Sequence, residues 1–189
     1  VADESYGWAG PDRATETCTV AAYIRLSIEM ARLLGEGRYG DRVERAFFNA
    51  AAACTNPDFD KHVYVQTPNR TVVENRADFT CPTTARYFLH KQWPLCCTAA
   101  LTRYVPDYVQ HLWMKSADGG LAAALYAPST VETMLGGTKV KVRTVTDYPF
   151  GETLRFEVAP AKPLAFPLRL RLPGWCESPV VTLNGAIVE

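Results

Sequence analysis

Cys96 and Cys97 are the residues of this sequence whose types and spacing point most directly to chemistry. Adjacent cysteines rarely bond each other, because the small ring that such a disulfide closes strains both the peptide and the bridge. Glu16 and Cys18 lie two positions apart, where another helix is predicted to begin. Zinc accepts three thiolates and a carboxylate as tetrahedral ligands. The four residues therefore form a candidate zinc site.

Two simpler interpretations of the same residues stay open. The spacing signal is moderate, because 78 positions separate Cys18 from Cys96. Buried free cysteines beside a glutamate that caps a helix would give the same pattern. An inert structural zinc site would give it as well. A thiol redox pair at Cys96-Cys97 is the weakest interpretation, because no CxxC motif in a βαβ setting accompanies it.

The other cysteines and the histidines carry weaker signals. Six cysteines are too few and too unevenly spaced for a disulfide-stapled miniprotein. Three of them are predicted to be small buried apolar side chains, with a Cys54–Cys81 disulfide as the alternative: Cys54, Cys81 and Cys176. The histidines show no metal-ligand spacing, and among them His90 is close enough in sequence to Cys96 to approach the site.

Composition excludes several classes of protein. The chain has 189 residues, of which 48% are hydrophobic and 21% charged, with a formal net charge of zero. These values are typical of a soluble globular protein and give no sign of a nucleic-acid surface. No run of about 18 apolar residues predicts a membrane span. No signal peptide is visible, so the compartment stays open with the cytoplasm slightly favoured. A homodimer also stays open.

Helical patterns dominate the first part of the chain. Apolar periodicity predicts a helix over 16–34, capped by Thr15 and ended by glycines. Asp41 is predicted to cap a second helix, and residues 62–66 alternate as in a short strand. A third helix is expected from Pro94 to about Met114, with a kink or break at Pro106. These elements would place all four cysteine and glutamate donors at or near helix starts.

The pattern changes to strands near residue 117. The candidate strands are 121–126, 130–135, 138–146, 152–158, 166–172, 180–183 and 186–189. Gly136-Gly137 and Asn184-Gly185 are hairpin turn signals between them. Short strands at this spacing predict an antiparallel β-sandwich. We therefore expect an α+β chain with domains at 1–117 and 118–189, and a segment of a longer protein.

Short sequence words in a fixed order carry a family resemblance. The words are Glu16-Thr17-Cys18, Arg38-Tyr39-Gly40-Asp41, Val43-Glu44-Arg45-Ala46-Phe47-Phe48-Asn49, Val63-Tyr64-Val65, Pro94-Leu95-Cys96-Cys97, Tyr148-Pro149-Phe150, Leu170-Arg171-Leu172-Pro173-Gly174-Trp175 and Leu183-Asn184-Gly185. In this order they resemble the β-L-arabinofuranosidases of glycoside hydrolase family 127, the former DUF1680 group. The resemblance covers nearly the whole chain.

The resemblance implies a fold and a mechanism. The fold would be the terminal helices of an (α/α)₆ barrel followed by a β-sandwich domain. The activity would be retaining hydrolysis of β-L-arabinofuranosides, with Cys96 as the nucleophile and Glu16 as the acid/base. Zinc would be bound by Glu16, Cys18, Cys96 and Cys97. Glu44 and Tyr64 fall where the family places side chains that contact the sugar.

The chain also departs from the family pattern. Many relatives follow the cysteine pair with two prolines and an asparagine, whereas this chain has Thr98-Ala99-Ala100. The upstream barrel helices of the family, with their sugar-binding histidines, are not in this sequence, so little activity is expected from the segment alone. A non-catalytic relative that binds carbohydrate and keeps the scaffold, with or without zinc, is the alternative function.

Overall fold

The structure is a computed structural model that describes residues 15–67, 73, 88–90 and 96–188. Its chain forms two compact units, Val1–Met30 with Arg42–Gln110 and Ala31–Asp41 with His111–Glu189. Cys81, and with it the alternative Cys54–Cys81 disulfide, lies outside the described residues, as does the predicted helix start at Pro94. The predicted division at residue 117 into barrel and sandwich stays a prediction.

The first helix, α1, confirms the predicted helix over 16–34 and spans Thr17–Leu34. Its buried side chains follow one helical stripe: Thr17, Val20, Ala21, Ile24, Ser27 and Ile28. The predicted cap at Thr15 is wrong, because Thr15–Glu16 forms the short strand β1 instead. Gly35 ends the helix with a φ of 67° and donates its N–H to the Ala31 carbonyl at 2.9 Å. This left-handed ending is the geometry that favours glycine.

Helix α2 spans Gly37–Arg45, so it begins four residues earlier than the predicted cap at Asp41. Asp41 lies inside the helix, and its carboxylate binds Arg171 and the Gly174 N–H instead of capping a helix end. The chain continues from α2 into a π-helical turn, Ala46–Ala51, and a 3₁₀ turn, Ala52–Cys54. The Asp41 side chain, which the local sequence predicts to cap a helix, therefore forms a long-range ion pair instead.

Strand β2, Val65–Gln66, pairs antiparallel with β1, so that Glu16 lies opposite Val65. Helix α3 spans Cys96–Gln110 in the described residues. Pro106 does not interrupt the helix, which continues to Gln110, so of the predicted kink or break the break is wrong and the kink stays a prediction. The predicted end at Met114 is also wrong, because strand β3 spans Trp113–Lys115 and pairs with β4, Leu121–Ala123. The residues predicted to form the last turn of the helix instead enter β3, which pairs with β4 in a hairpin.

Strands build most of the second unit. β5, Ser129–Leu135, and β6, Thr138–Val145, confirm two predicted strands and join at Gly136-Gly137, both glycines having positive φ. β6 pairs antiparallel with β7, Arg155–Pro160. β8, Leu168–Leu170, pairs with β4 in the parallel direction, which corrects the expectation of purely antiparallel pairing. Thr182–Leu183 and Ala186–Ile187, β9 and β10, form the predicted hairpin at Asn184-Gly185.

The core of this unit combines side chains from both three-stranded sheets, β3-β4-β8 and β5-β6-β7. Its buried members are Leu121, Leu135, Val140 and Val142, packed against Trp113, Val131, Leu164, Phe166 and Leu168. Alternation along β6 sends Val140 and Val142 inward, while Lys139 and Lys141 reach Glu132 on the exposed face. The overall class is therefore mixed α+β, with a sandwich-like core in this unit.

A buried arginine organises the polar interior of the same unit. The Arg171 side chain is 4% exposed and donates to the Asp41 carboxylate and, at 2.7 Å from Nε, to the Ala124 carbonyl. Its guanidinium lies 4.9 Å from the centre of the Tyr126 ring, and the Tyr126 hydroxyl donates to the Arg171 carbonyl. A Cβ atom on Gly40 would lie 2.5 Å from Arg171 Cδ, so only glycine leaves room for this side chain. We call Arg171, Asp41, Ala124 and Tyr126 the arginine cluster.

Two of the cysteines predicted to be buried, Cys54 and Cys176, differ in burial. Cys54 is fully buried, as predicted, whereas Cys176 is only half-buried, because it lies just after the exposed turn at Gly174-Trp175. In the described part of the chain, no helix is long and apolar enough to cross a membrane.

Candidate metal centre and active site

Glu16 is held at the candidate site by the pairing of β1 with β2. Next to it, the Thr17 N–H donates to the Tyr64 carbonyl at 2.9 Å, and the buried Thr17 hydroxyl donates to the Val63 carbonyl at 2.7 Å. Because the first N–H groups of a helix lack intrahelical partners, these bonds both satisfy the start of α1 and fix it to β2. Cys18 lies in the first turn of α1, directly after this anchor.

Cys96 and Cys97 are the first described residues of α3. Consecutive helix residues point about 100° apart around the axis, so the two side chains have different surroundings. Cys96 is exposed, whereas Cys97 is fully buried. The two sulfurs thus differ in access to a ligand from outside.

The structure brings all four predicted donors together. The Cys96 sulfur lies 4.0 Å from the sulfur atoms of both Cys18 and Cys97, and 3.3 Å from Glu16 Oε1. Cys97 Sγ lies 3.8 Å from the same carboxylate oxygen. All four donor atoms lie within 4.8 Å of one another. We call Glu16, Cys18, Cys96 and Cys97 the donor cluster.

These distances fit a tetrahedral zinc site. Zinc–sulfur bonds of about 2.3 Å and zinc–oxygen bonds of about 2.0 Å at tetrahedral angles place sulfurs about 3.8 Å apart and sulfur and oxygen about 3.5 Å apart. The measured sulfur–sulfur distances are 4.0 Å and the sulfur–oxygen distances are 3.3 and 3.8 Å. The cluster is therefore compatible with a metal ion in size and in ligand type.

The electrostatics of the donor cluster also favour a cation. Burial raises the pKa of Cys18 well above its usual range, and its hydrogen bond to Glu16 and the nearby Cys97 raise it further. Burial raises the pKa of Cys97 to about 12, although a hydrogen bond from the Cys18 backbone opposes the shift. A positive ion would offset the cost of ionising these two thiols, because a nearby cation favours the charged form of a group.

The two predicted sugar-contacting residues have different positions. The side chain of Tyr64 makes a hydrogen bond to the Glu16 side chain, and burial followed by this bond raises the pKa of the Tyr64 hydroxyl above its usual range. Tyr64 is thus beside the donor cluster. Glu44 is buried on α2, with 5% of its surface exposed, and is not among the four clustered donors. Its role as a sugar contact stays a prediction.

The sequence reasoning missed His62. Its side chain is buried, and its Nε2 lies 3.3 Å from the hydroxyl of Thr98, the residue directly after Cys97. Burial lowers the pKa of His62, so the ring is neutral at pH 7. The alternation of residues 62–66 places His62 on the face opposite Val63 and Val65, so the pattern gave no sign that this side chain is buried as well. His90, which the sequence left open as a residue that could approach the site, lies exposed with its Nδ1 3.0 Å from the Asp60 carbonyl.

The chain matches two domain families of known proteins. The profile of the β-L-arabinofuranosidase GH127 catalytic domain matches residues 3–110, and that of the GH127 middle domain matches residues 120–189. The chain belongs to glycoside hydrolase family 127. The GH127 membership confirms the resemblance carried by the sequence words, and the donor cluster lies inside the segment that matches the catalytic domain.

The fold of this chain is also similar to those of solved glycoside hydrolase structures. A GH127 β-L-arabinofuranosidase from Geobacillus stearothermophilus T6 is 27% identical and superposes with a TM-score of 0.74 over 95% of this chain. A glycoside hydrolase at 23% identity, with a TM-score of 0.77, and a GH127 β-arabinofuranosidase at 18%, with a TM-score of 0.74, share the fold over 92% of this chain. The chain spans 28% of the length of each of them. No curated protein matches the chain significantly.

Proposed function

We propose that this GH127 chain carries the zinc-binding and catalytic residues of a retaining glycoside hydrolase that releases L-arabinofuranose from β-L-arabinofuranosides. One observation carries the proposal. An exposed sulfur, that of Cys96, lies 3.3 Å from the Glu16 carboxylate within a cluster that fits a metal ion. A retaining glycosidase needs a nucleophile and an acid/base group next to each other.

In the first step, the Cys96 thiolate attacks the anomeric carbon of the arabinofuranoside. A carbon–sulfur bond forms as the glycosidic carbon–oxygen bond breaks, and Glu16, which would leave the metal and take up a proton from solvent before this step, gives that proton to the departing oxygen. Cys96 is suited to this role because its side chain is exposed. Cys97 is unsuited to it, since its sulfur is fully buried and no sugar carbon could reach it.

In the second step, water replaces the sulfur at the anomeric carbon. Glu16, now a carboxylate, removes a proton from this water, and the Cys96 thiolate leaves as the sugar is released. Two displacements at one carbon retain its configuration. The hydrogen bond from Tyr64 to Glu16 would hold the carboxylate in place in both steps. Tyr64 and the buried carboxylate of Glu44 are the proposed contacts to the sugar hydroxyls.

Zinc is the ion that the donor set fits best, and Glu16, Cys18, Cys96 and Cys97 would hold it. Bound zinc would keep the sulfur of Cys96 ionised at neutral pH. Cys18 and Cys97 would act as metal anchors, and the ion would displace the protons that both thiols keep when no cation is present.

The proposal is tested by replacing the nucleophile in the full-length protein. Cys96→Ser should lower turnover of an aryl β-L-arabinofuranoside by about 10⁴-fold or more, the scale of loss when a covalent nucleophile is removed. Cys176→Ser is the matched control, because Cys176 is half-buried and not a member of the donor cluster. Metal analysis should find about one zinc per chain.

Three results would contradict the proposal. Turnover retained in the Cys96→Ser variant would reject the nucleophile, and a purified protein without zinc would reject the metal site. A full-length protein that binds arabinose oligomers and never cleaves them would instead be the non-catalytic relative that the sequence left open.

A further inference from the structure

The short segment His62–Gln66 contacts the first residues of α1 and the first described residues of α3, the two helices that carry the three cysteines of the donor cluster. On the α1 side, Val63 and Tyr64 accept the hydrogen bonds of Thr17 described above. On the α3 side, Cys97 Sγ lies 3.9 Å from the Tyr64 carbonyl, and the Thr98 hydroxyl lies 3.3 Å from His62 Nε2. The segment therefore links two helix starts that are almost eighty residues apart in sequence.

His62 is itself firmly held. Its N–H donates to the Leu89 carbonyl and its carbonyl accepts from the Leu89 N–H, both at 3.0 Å. Its backbone also forms a bridge with Thr55. The residue is 3% exposed. The backbone pairing fixes where the side chain begins, and burial leaves the ring little freedom to move. The ring can therefore set the position of the group that it binds.

Thr98 is the group on α3 that His62 holds. The next two residues, Ala99 and Ala100, have side chains that cannot form hydrogen bonds. The Thr98–His62 contact therefore links this turn to the segment His62–Gln66 through side chains, beside the contact of Cys97 Sγ with the Tyr64 carbonyl. A rotation of the turn about the helix axis would break that link and would move the sulfurs of Cys96 and Cys97 together.

We propose that His62 is a positioning residue that acts through Thr98 to fix the rotation of the first turn of α3, and with it the sulfurs of Cys96 and Cys97. The inference rests on the proposed metal site and adds a residue that touches neither metal nor sugar. Partners of this outer kind typically change metal affinity by about 10- to 100-fold.

The experiment measures metal binding to the full-length protein, with zinc in competition with a chelator and with cobalt(II) as a spectroscopic probe. His62→Phe and Thr98→Val should each weaken zinc by about 10-fold. Each should also alter the absorption bands of thiolate-bound cobalt, which report ligand geometry. Thr98→Ser keeps the hydroxyl and should restore wild-type affinity and spectrum. His90→Phe is the matched histidine control, because His90 bonds to Asp60 instead.

A double variant separates positioning from general loss of structure. If His62 acts through Thr98, His62→Phe combined with Thr98→Val should bind zinc no more weakly than either single variant. Multiplied losses in the double variant, or unchanged affinity and spectra in Thr98→Val, would overturn the inference. If His62→Phe fails to fold, the zinc affinity and cobalt spectrum of Thr98→Val still test the inference. A wild-type protein that binds neither metal would instead overturn the proposed function itself.

Discussion

The donor cluster and the arginine cluster are both groups of polar side chains gathered from distant parts of the sequence, yet their internal electrostatics are opposite. In the donor cluster, burial raises the pKa of Cys18 most, and Glu16, Cys97 and Cys96 raise it further, so each ionised member disfavours the ionisation of the next. In the arginine cluster, the guanidinium of Arg171 meets a carboxylate, a carbonyl and the face of a ring, all of which attract it.

This difference in electrostatics distinguishes a candidate functional site, the donor cluster, from a structural cluster, the arginine cluster. A cluster whose charges match contains its own cation, so it needs no ion from outside. A cluster whose charges repel costs stability until an ion from outside completes it, and such an arrangement is retained where a function requires it. Adding or removing a metal should therefore change the contribution of one cluster and leave the other unchanged.

The largest expected effect is stabilisation by zinc. Free zinc at about a thousand times its dissociation constant should raise the free energy of unfolding by about 4 kcal/mol, because only the folded cluster binds it well. Cys97→Ala should abolish this gain, since it removes the buried anchor. Chemical denaturation of the full-length protein with zinc and with a chelator measures it. Equal stabilisation by zinc in the wild type and in Cys97→Ala would contradict the claim that the donor cluster is the site where the metal stabilises the fold.

The next effect belongs to the arginine cluster. Asp41→Asn should lower the free energy of unfolding by about 3 kcal/mol, because it leaves a buried guanidinium without its counter-charge. The loss should be the same with zinc and with chelator. Asp118→Asn is the control, because its partner Arg169 is exposed and the change should be far smaller. A loss at Asp41 that depends on zinc would show that the two clusters are not independent.

The pH dependence of zinc affinity sharpens the comparison. Without a cation, the raised pKa values keep Cys18 and Cys97 protonated at neutral pH, so zinc must displace both protons. Each displaced proton makes affinity rise tenfold per pH unit, and the two together give about 100-fold per unit between pH 6 and 8. Titration with a chelator of known pH dependence measures this slope. A flat profile would mean that the thiols are already ionised in the metal-free cluster.

The smallest effect tests the space around Arg171. Gly40→Ala should cost about 2 kcal/mol of unfolding free energy, because its Cβ would lie 2.5 Å from Arg171 Cδ and 3.0 Å from the Ala124 carbonyl. Gly37→Ala is the matched helix control, since its nearest neighbour, Arg171 Cγ, would be 3.3 Å away. Thermal unfolding of the two variants compares them. Equal midpoints would mean that the arginine moves aside without cost.

Local elements were predicted well where one short stretch decided them. α1 follows its apolar stripe, and β5 and β6 follow strict alternation on either side of Gly136-Gly137. Predictions failed where a distant residue intervened. Asp41 looked like a cap because its type favours one, but Arg171 lies 130 positions away and binds its carboxylate. Hairpin pairing with β4 likewise ended α3 before Met114.

The sequence by itself determined the types of donor and their places at helix starts, because capping, helical periodicity and cysteine spacing are local properties. The words around them were enough to indicate family 127. Only the tertiary structure decided that Cys96 is exposed and Cys97 buried, and that His62 lies against Thr98. Burial and contact depend on which distant segments pack together, and adjacent residues of the same type carry no sign of that difference.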